Sequence, residues 1–492
     1  MAGKTNTIKK KASTNWEYSA APESTDHISL MSNYDLFIAG KFTKPKEGTY
    51  FNSINPANET NIAKVASAGK ADVNKAVAAA KVAYENVWKE MDPSQRGKYI
   101  YRIARLIQER AREFAVIESL DGGKPIRESR DIDIPLAAAH FFYYAGWSDK
   151  LDYAFPGRKT KSIGVAGQII PWNFPLLMLA WKVAPALATG NSVVLKPAET
   201  TPLTALLFAE ICAEAGLPDG VFNLVTGNGE TGAFIVNHED IDKIAFTGST
   251  GVGKQIQSTL AGTGKGLTLE LGGKAANIVY EDASIDQAVE GVVNGIFFNQ
   301  GHVCCAGSRL LIQESIEDEF IEKLERRMQQ LRVGNPLDKN TDIGAINSKQ
   351  QLNKITELVE SGINDGGSIY QTECELPGNG FWFKPTLFTN VQPAYRIARE
   401  EIFGPVLTTI TFRTPEEAVE IANNTEYGLS AGIWSEKGSK VLWTADNLDA
   451  GVIWSNTFNK FDPSSPFGGY KESGFGREGG RHGLLSYLKE EK

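Results

Sequence analysis

Short β-rich runs alternate with helical segments through the middle of the chain, and this alternation constrains the fold more than any other feature. The pattern predicts strands at 192–195, 221–225 and 243–246, each followed by a helix, at 202–215, 231–237 and 252–260. A second alternating series covers residues 277–331. Strands separated by helices usually pair in parallel, so the sequence predicts a doubly wound α/β architecture.

The chain is too long for one hydrophobic core. At 492 residues it should form two or three domains. Apolar residues at helical spacing predict helices within residues 71–118. The first 35 residues are polar and lack the apolar core of a signal peptide, so we expect them to form a mobile or surface-lying extension.

Charge, hydropathy and cysteine content argue against several classes of protein. A net charge of −8 is atypical of a nucleic-acid-binding protein, which usually has a basic face. The richest apolar run, residues 174–195, is interrupted by Lys182, Pro185 and Asn191, so no membrane span is predicted. Four cysteines in this length do not resemble a disulfide framework, which predicts a reducing, cytoplasmic location.

Two glycine-rich segments resemble nucleotide motifs without completing them. Residues 227–232 match G-x-G-x-x-G, but no acidic residue follows at the spacing that a ribose requires. Residues 248–254 match most of a P-loop, but Gln255 stands where Ser or Thr would hold Mg²⁺, which argues against an NTPase. A glycine-rich helix N-terminus still suits a phosphate, and a simple tight turn is the alternative.

A thiol and a carboxylate provide the candidate chemistry. Residues 297–307 read Phe-Phe-Asn-Gln-Gly-His-Val-Cys-Cys-Ala-Gly, and residues 269–274 read Leu-Glu-Leu-Gly-Gly-Lys. A thiol such as Cys304 needs activation to become a nucleophile, and hydrolysis of a covalent intermediate needs a base such as Glu270. The alternative is that Cys304 and Cys305 are small core residues and Glu270 is a helix cap.

These two segments resemble the signatures of the NAD(P)-dependent aldehyde dehydrogenase family, and other segments match it in the same order. They are residues 171–175 (Pro-Trp-Asn-Phe-Pro), 246–250, 400–406 and 467–471. The resemblance extends from about Phe37 to Tyr487. It implies an aldehyde dehydrogenase-like fold, with a Rossmann-type NAD-binding domain, an α/β catalytic domain and a β-arm for oligomerisation.

The resemblance implies a role for each matched catalytic residue. Cys304 would attack the aldehyde, Asn173 would stabilise the oxyanion together with the Cys304 backbone N–H, and Glu270 would activate water. Lys182 and Glu478 match a proton relay from this glutamate. His302 is close to the thiol in sequence only, and we expect it to be structural. No metal is implied.

The resemblance also implies a cofactor site and an aldehyde tunnel. Its acidic residue on the adenosine ribose would be Glu199, which repels a 2′-phosphate and therefore favours NAD over NADP. The implied cofactor residues are Ile170, Trp172, Lys196, Glu199, Gly229, Gly248, Ser249, Leu271, Glu401 and Phe403. The implied tunnel residues, which composition alone would assign to the core, are Phe174, Leu177, Trp181, Phe298, Phe461 and Phe467. Charged Lys460 and Asp462 beside this tunnel hint at a polar or hydroxylated aldehyde.

Domain boundaries follow from the resemblance. They are an extension at 1–35, an NAD-binding domain at 36–143 and 163–272, a catalytic domain at 273–478, and an oligomerisation arm at 144–162 with 479–492. The family's C-terminal strand normally joins the arm. Here the sequence ends soon after Tyr487, which predicts that this strand is missing and that the protein is a homodimer or a loosely built homotetramer.

Three other functions compete with this interpretation. A CoA-acylating enzyme would usually lack a water-activating glutamate, so Glu270 argues against it. A catalytically silent scaffold on the same fold would be expected to have lost the thiol or the amide, and both Cys304 and Asn173 are present. The incomplete P-loop makes an NTPase the weakest alternative. The sequence does not identify the aldehyde.

Overall fold

A computed structural model describes residues 19–490 as a mixed α/β protein built around two large sheets. The first sheet has eight strands, of which the central five are parallel and the outer ones antiparallel. In spatial order they are Gly474–Phe475, Gly266–Glu270, Lys243–Thr247, Val165–Ile169, Ser192–Lys196, Phe222–Leu224, Leu36–Ile38 and Lys41–Thr43. The predicted doubly wound parallel sheet is therefore confirmed.

Helices cover both faces of this sheet, which explains why its central strands are largely buried. Strands Ser192–Lys196 and Lys243–Thr247 are buried at every residue. The α-helices of this half are Lys70–Ala83, Pro93–Glu109, Ala111–Gly122, Ile134–Trp147, Pro175–Ala188, Leu203–Glu214, Gly229–Asn237 and Thr250–Leu260, with short turns at Ile126–Glu128 and Leu151–Ala154. Asp92 starts one of them by accepting the Ser94 N–H, ahead of a proline at the first helical position.

The second sheet has seven strands, all parallel except for one edge pair. In spatial order they are Ser368–Gln371, Thr386–Thr389, Val406–Phe412, Arg309–Gln313, Ala276–Val279, Ser430–Trp434 and Val452–Ser455. The α-helices of this half are Ile285–Phe297, Glu317–Met328, Lys349–Asn364, Arg396–Arg399, Pro415–Asn423 and Gly438–Asn447, whereas the C-terminal helix Gly480–Leu485 packs against Pro175–Ala188 of the first half. The second alternating series of the sequence is thus also confirmed.

Small sheets complete the fold. One consists of Asn33–Tyr34, Asn61–Ala66 and Tyr50–Ile54, and another pairs Tyr427–Gly428 with Tyr470–Lys471. The sequence reading did not predict these, because two- to six-residue strands carry too little periodicity. No helix within residues 19–490 has both the length and the apolar character that crossing a bilayer would require.

The prediction that the C-terminal strand is missing was wrong. Leu488–Glu490 forms a strand and pairs antiparallel with Thr160–Ser162. Leu488 is half-buried and the other two residues are exposed, so this short strand has no local sequence signal and forms by pairing with the edge of Thr160–Ser162. The arm also starts later than predicted, since Tyr144 is buried within the helix Ile134–Trp147.

Part of the predicted N-terminal extension is fixed to the body of the protein. The Glu23 N–H donates to the Leu337 carbonyl at 2.7 Å, and the Glu23 carboxylate accepts from Arg112 Nε at 2.8 Å and pairs with Lys339 at 3.3 Å. These ion pairs hold the pKa of Glu23 below its usual value, against the opposing effect of burial. Residues 1–18 of the predicted extension lie outside the described residues.

Candidate active site

A cleft of about 620 Å³ opens at the carboxyl ends of strands from the first sheet and contains most of the predicted residues. Glu270 ends the strand Gly266–Glu270, and Cys304 follows the helix Ile285–Phe297. The predicted residues that line it are Asn173, Glu270, Cys304, Glu478, Trp172, Gly248, Ser249, Leu271, Glu401, Phe403, Phe174, Leu177, Trp181, Phe298, Phe461 and Phe467. Outside its lining lie Lys182, Ile170, Lys196, Glu199 and Gly229.

The Gly272–Gly273 turn brings the thiol segment and the Glu401 segment together. A Cβ on Gly273 would lie 2.4 Å from the Cys304 carbonyl oxygen, and one on Gly272 would lie 2.5 Å from Glu401 Oε2. The Gly273 N–H donates to Glu401 Oε1 at 3.0 Å. Both glycines are therefore required by close approach, which gives a physical reason for the paired glycines after Glu270.

Glu270 is a buried carboxyl group whose oxygens accept no hydrogen bond from any residue between 19 and 490. Only 4% of the residue is exposed. Burial, followed by the charge of Glu478, raises the pKa of Glu270 well above its usual value. A raised pKa makes the ionised carboxylate a stronger base than that of an ordinary glutamate, which suits it to take a proton from water.

Cys304 and Cys305 both line the cleft, but Cys304 is only partly buried whereas Cys305 is buried. A hydrogen bond with the Cys305 side chain, together with burial, raises the pKa of Cys304 well above its usual value. A raised pKa favours the thiol over the thiolate, so Cys304 must lose a proton before its sulfur can attack. Cys305 differs in its contacts, because its thiol faces Asn459 Oδ1 at 3.8 Å.

Asn173 is buried at the edge of the cleft with its side chain oriented by the backbone. Its Nδ2 donates to the His302 carbonyl at 2.9 Å, which identifies the amino end of the amide. The second N–H of the same group has no other bond among the described residues. An amide with a free N–H in a cleft beside a thiol is suited to binding an oxyanion.

Lys182 and Glu478 form a buried ion pair behind Glu270. Lys182 Nζ also donates to Thr247 Oγ1 at 2.6 Å, at the end of the strand next to that of Glu270. The second Glu478 oxygen has no partner within the described chain. The pair is close enough to influence Glu270: the charge of Glu478 raises the pKa of Glu270, and the charge of Lys182 lowers it.

Aromatic rings divide the cleft into two ends. At one end Trp172 packs edge-on against both His302 and Phe403, at 4.8 and 5.1 Å between ring centroids. Phe403 has a left-handed backbone with φ of 56°, a conformation that is rare for a bulky residue. At the other end Trp181 packs against Phe461 and Phe467 at 6.2 and 5.1 Å.

The loops at the carboxyl end of the strand Ser192–Lys196 contain the predicted ribose residues. Lys196 Nζ donates to the carbonyls of Pro197 and Gly227 at 2.7 and 2.8 Å and lies 3.8 Å from Glu199. Burial lowers the pKa of Lys196 to about 8. Glu199 is more than half exposed, so its carboxylate is accessible to a ligand.

Helix Thr250–Leu260 begins beside this region, directly after Ser249. Its first turn has no side-chain cap, so backbone N–H groups remain available for a phosphate. Gly253 allows close packing, since a Cβ there would lie 2.5 Å from a methyl carbon of Leu271. Among residues 19–490 no group of His, Cys, Asp or Glu side chains is arranged to hold a metal ion.

The sequence reading missed several residues that shape the cleft. Gln351 Nε2 donates to the carbonyls of Ile402 and Phe403 at 3.0 and 2.9 Å and so fixes the segment that contains Glu401. Asn299 bonds the backbone of Asn173. Asn299 lies within the segment already singled out at 297–307, but nothing in the sequence around Gln351 marks it.

Comparisons with known proteins agree with this geometry. The profile of the Aldehyde dehydrogenase family matches residues 42–492. Retinal dehydrogenase 2 of Homo sapiens is 45% identical over 465 residues, covering 92% of this chain and 90% of its own. An aldehyde dehydrogenase of Alternaria alternata is 44% identical over 464 residues, covering 92% and 93%. The NAD⁺ complex of an aldehyde dehydrogenase from Bacillus cereus superposes with a TM-score of 0.91 at 41% identity, covering 94% of this chain and 96% of that one.

Proposed function

Because the chain belongs to the aldehyde dehydrogenase family, we propose that it oxidises an aldehyde to a carboxylic acid with NAD, through a thioester on Cys304. The observation that carries the proposal is the meeting of three groups in one cleft: the Cys304 thiol, the oriented Asn173 amide and the unbonded Glu270 carboxylate. Together they provide a nucleophile, an oxyanion donor and a base.

The first step is attack of the Cys304 sulfur on the aldehyde carbon. The Cys304 thiol releases its proton to solvent water in the open cleft, and the carbonyl oxygen becomes an oxyanion that the free Asn173 N–H stabilises. NAD, when bound, accepts the hydride that leaves this carbon. The residues that would hold NAD are Trp172, Lys196, Glu199, Gly248, Ser249, Glu401 and Phe403, and the first-turn N–H groups of helix Thr250–Leu260 suit its pyrophosphate.

Hydrolysis of the thioester then releases the acid. Glu270 takes a proton from water, the resulting hydroxide adds to the thioester carbon, and the carbon–sulfur bond breaks to return Cys304. The proton on Glu270 can pass towards the Lys182–Glu478 pair, whose charges already act on the pKa of Glu270. This use of Glu270 distinguishes the proposed enzyme from a CoA-acylating one, in which CoA would take the acyl group.

The walls of the cleft favour an aldehyde with an apolar, ring-compatible body. Phe174 and Phe298 lie nearly parallel at 6.0 Å between ring centroids, and Trp181 packs against Phe467 at 5.1 Å in the same cleft. Polar side chains of Asn294, Asn459 and Lys460 line part of the same cleft, which supports a polar group at the far end of the substrate.

Two broader assignments accompany the proposal. Residues 160–162, paired with 488–490, form a small two-stranded sheet that suits extension by a partner subunit, so we propose a homodimer or homotetramer. All four cysteines are unpaired, which supports a reducing, cytoplasmic location.

The test is an assay of purified protein with a panel of aldehydes and NAD, without CoA or added metal. NADH absorbance should rise, and one carboxylic acid should form for each NADH. Formation of NADH only when CoA is present would favour the CoA-acylating alternative. Absence of NADH with every aldehyde, despite binding of NAD, would favour a silent scaffold.

A further inference from the structure

Asn299 lies buried behind the predicted oxyanion donor and is bonded to it. Its Nδ2 donates to the Asn173 backbone carbonyl at 2.8 Å and to the His302 carbonyl at 3.3 Å. The Asn173 side chain donates to that same His302 carbonyl at 2.9 Å. Two asparagine amides thus converge on one carbonyl oxygen, and only 2% of Asn299 is exposed.

The backbone at Asn299 is held in an unusual conformation. Asn299 and Gln300 both have left-handed backbones, with φ of 49° and 53°. Glu128 Oε2 accepts the Asn299 N–H at 2.9 Å, and the Gln300 side chain bonds Gly344 N–H and the Ala345 carbonyl at 3.2 and 3.1 Å. Strain of this kind persists only where the surroundings fix it. These contacts direct the Asn299 side chain towards Asn173.

Buried charges fix the residues that follow Asn173 in the chain. Lys124 forms ion pairs with Asp133 and Glu118, and its Nζ lies 4.1 Å from the centre of the Phe174 ring. The Glu118 carboxylate also accepts the Leu176 N–H at 3.4 Å. The Asn173 backbone is therefore bonded by Asn299, and the segment that follows it is fixed by a buried hydrogen bond and by contact with the buried Lys124 charge.

We propose that Asn299 is a positioning residue, which holds Asn173 so that its free N–H faces the oxyanion formed at Cys304. The inference rests on the oxyanion role proposed for Asn173. A carboxamide can rotate and exchange its oxygen and nitrogen ends, and the shared His302 carbonyl accepts only from the nitrogen end. Without the Asn299 side chain, the Asn173 and His302 carbonyls lose the hydrogen-bond donor that they share. Small misplacements of a reacting or stabilising group can reduce the rate by about 10²-fold.

The test is a double-mutant cycle on the first-turnover rate of NADH formation. Asn299→Gly removes the side chain and keeps a residue that tolerates a left-handed backbone. Asn390→Gly is the matched control, because Asn390 is also left-handed, with φ of 56°, but is exposed on a remote loop. Asn299→Gly should reduce the first-turnover rate by about 10- to 100-fold. NAD affinity and the control variant should change less than threefold.

The cycle separates positioning from a general structural effect. If Asn299 acts through Asn173, Asn299→Gly should cost less than threefold in an Asn173→Ala background, because the group that it positions is already gone. If Asn299→Gly reduces the first-turnover rate by the same factor in the Asn173→Ala background as in the unsubstituted protein, the two residues act independently and the inference is overturned. If Asn173→Ala alone costs less than threefold, the oxyanion role itself fails, and the inference fails with it.

A second variant decides the matter if Asn299→Gly does not fold. Asn299→Asp keeps the size but places an oxygen opposite two carbonyl oxygens. Ionised, it cannot donate; protonated, it can donate one O–H. Its rate relative to the unsubstituted protein should therefore rise as pH falls. A ratio that stays near one at every pH would overturn the inference.

Discussion

Glu270, at the reacting end of the cleft, and Glu401, at the cofactor end, differ in whether their carboxyl oxygens are hydrogen-bonded. At the reacting end, neither oxygen of Glu270 has a hydrogen-bond partner within the described part of the chain. At the cofactor end, Glu401 accepts the Gly273 N–H, and the Lys196 ammonium donates to two backbone carbonyls. These side chains belong to the same cleft or its margin, and the Gly272–Gly273 turn that follows Glu270 and Leu271 contacts Glu401.

The difference follows from what each group must do. A buried carboxyl group without partners is costly, so it persists where a proton must be taken up and released. A group that only holds a ligand benefits from being fixed before the ligand arrives, since less ordering remains to be done on binding. The comparison therefore predicts that substitutions at the reacting end should change the chemical steps, while those at the cofactor end should change the affinity for NAD.

Removal of the thiol should have the largest effect. Cys304→Ala should reduce steady-state activity by at least about 10⁴-fold, because no other group can form the thioester. The affinity for NAD, measured by titration, should stay within about threefold of its original value. Cys305→Ala, the adjacent control, should retain most of the activity. An exchange of the two phenotypes would place the nucleophile at Cys305.

Removal of the base should slow hydrolysis rather than formation of the thioester. Glu270→Gln should reduce the steady-state rate by about 10²- to 10³-fold, because an amide cannot take the proton of water. Rapid mixing should still show one equivalent of NADH in the first turnover, followed by a slow phase. A steady-state rate close to that of the unsubstituted protein would exclude Glu270 as the base.

The pH dependence should report the same carboxyl group. Burial and Glu478 raise the pKa of Glu270, so protonation removes the base at a higher pH than for an ordinary glutamate. The rate of thioester hydrolysis should therefore fall about tenfold per pH unit once pH is below this raised pKa. In Glu270→Gln the residual hydrolysis should not show this decline. Retention of the same decline in the variant would assign it to another group.

The sequence was sufficient to predict the layers of the fold, and the structure brings Cys304, Glu270 and Asn173 together in one cleft, where their catalytic roles stay predictions. Long alternating strands and helices have a strong periodicity, and the segments around Glu270 and Cys304 are rich in glycine and small residues because of close backbone approaches. The strand Leu488–Glu490 was not predictable in this way. It depends on a long-range pairing with Thr160–Ser162, which no local pattern encodes.

Supporting residues were harder to predict for the same reason. Asn299 lies 126 residues from Asn173 in the chain, and Gln351 lies 52 residues from Phe403. Their side chains act on backbone carbonyls, which any residue possesses, so the partners leave no trace in the sequence. The motif located the site, but only the fold shows what holds its members in place.

A substitution at the fixed end should affect cofactor use by about an order of magnitude. Glu401→Gln keeps the shape of the side chain but removes the charge of the group that accepts the Gly273 N–H. A hydrogen bond to a charged group contributes roughly 1.5–3 kcal/mol to stability, so its loss should leave the Glu401 side chain less firmly held. We expect kcat/KM for NAD to fall about tenfold, with a normal first-turnover yield of NADH. Glu400→Gln is the control, since Glu400 is partly exposed and pairs with Arg396 at the surface. Equal effects of the two substitutions would remove Glu401 from the cofactor site.

The smallest expected effect concerns the choice between NAD and NADP. Glu199 is more than half exposed and lies 3.8 Å from Lys196, so its charge would face a 2′-phosphate while its oxygens accept from ribose hydroxyls. Glu199→Gln should therefore raise the ratio of kcat/KM for NADP to that for NAD by about three- to tenfold, mainly through better use of NADP.

Glu214→Gln serves as the control, because Glu214 is equally exposed but pairs weakly with Arg110 at 3.9 Å, at the end of a helix of the same half. High salt should reduce the difference, since screening weakens repulsion between exposed charges. If the unsubstituted protein uses both cofactors equally and Glu199→Gln leaves that ratio unchanged, the ribose does not lie against Glu199, and the fixed end of the cleft would be defined by Glu401 and Lys196 without it.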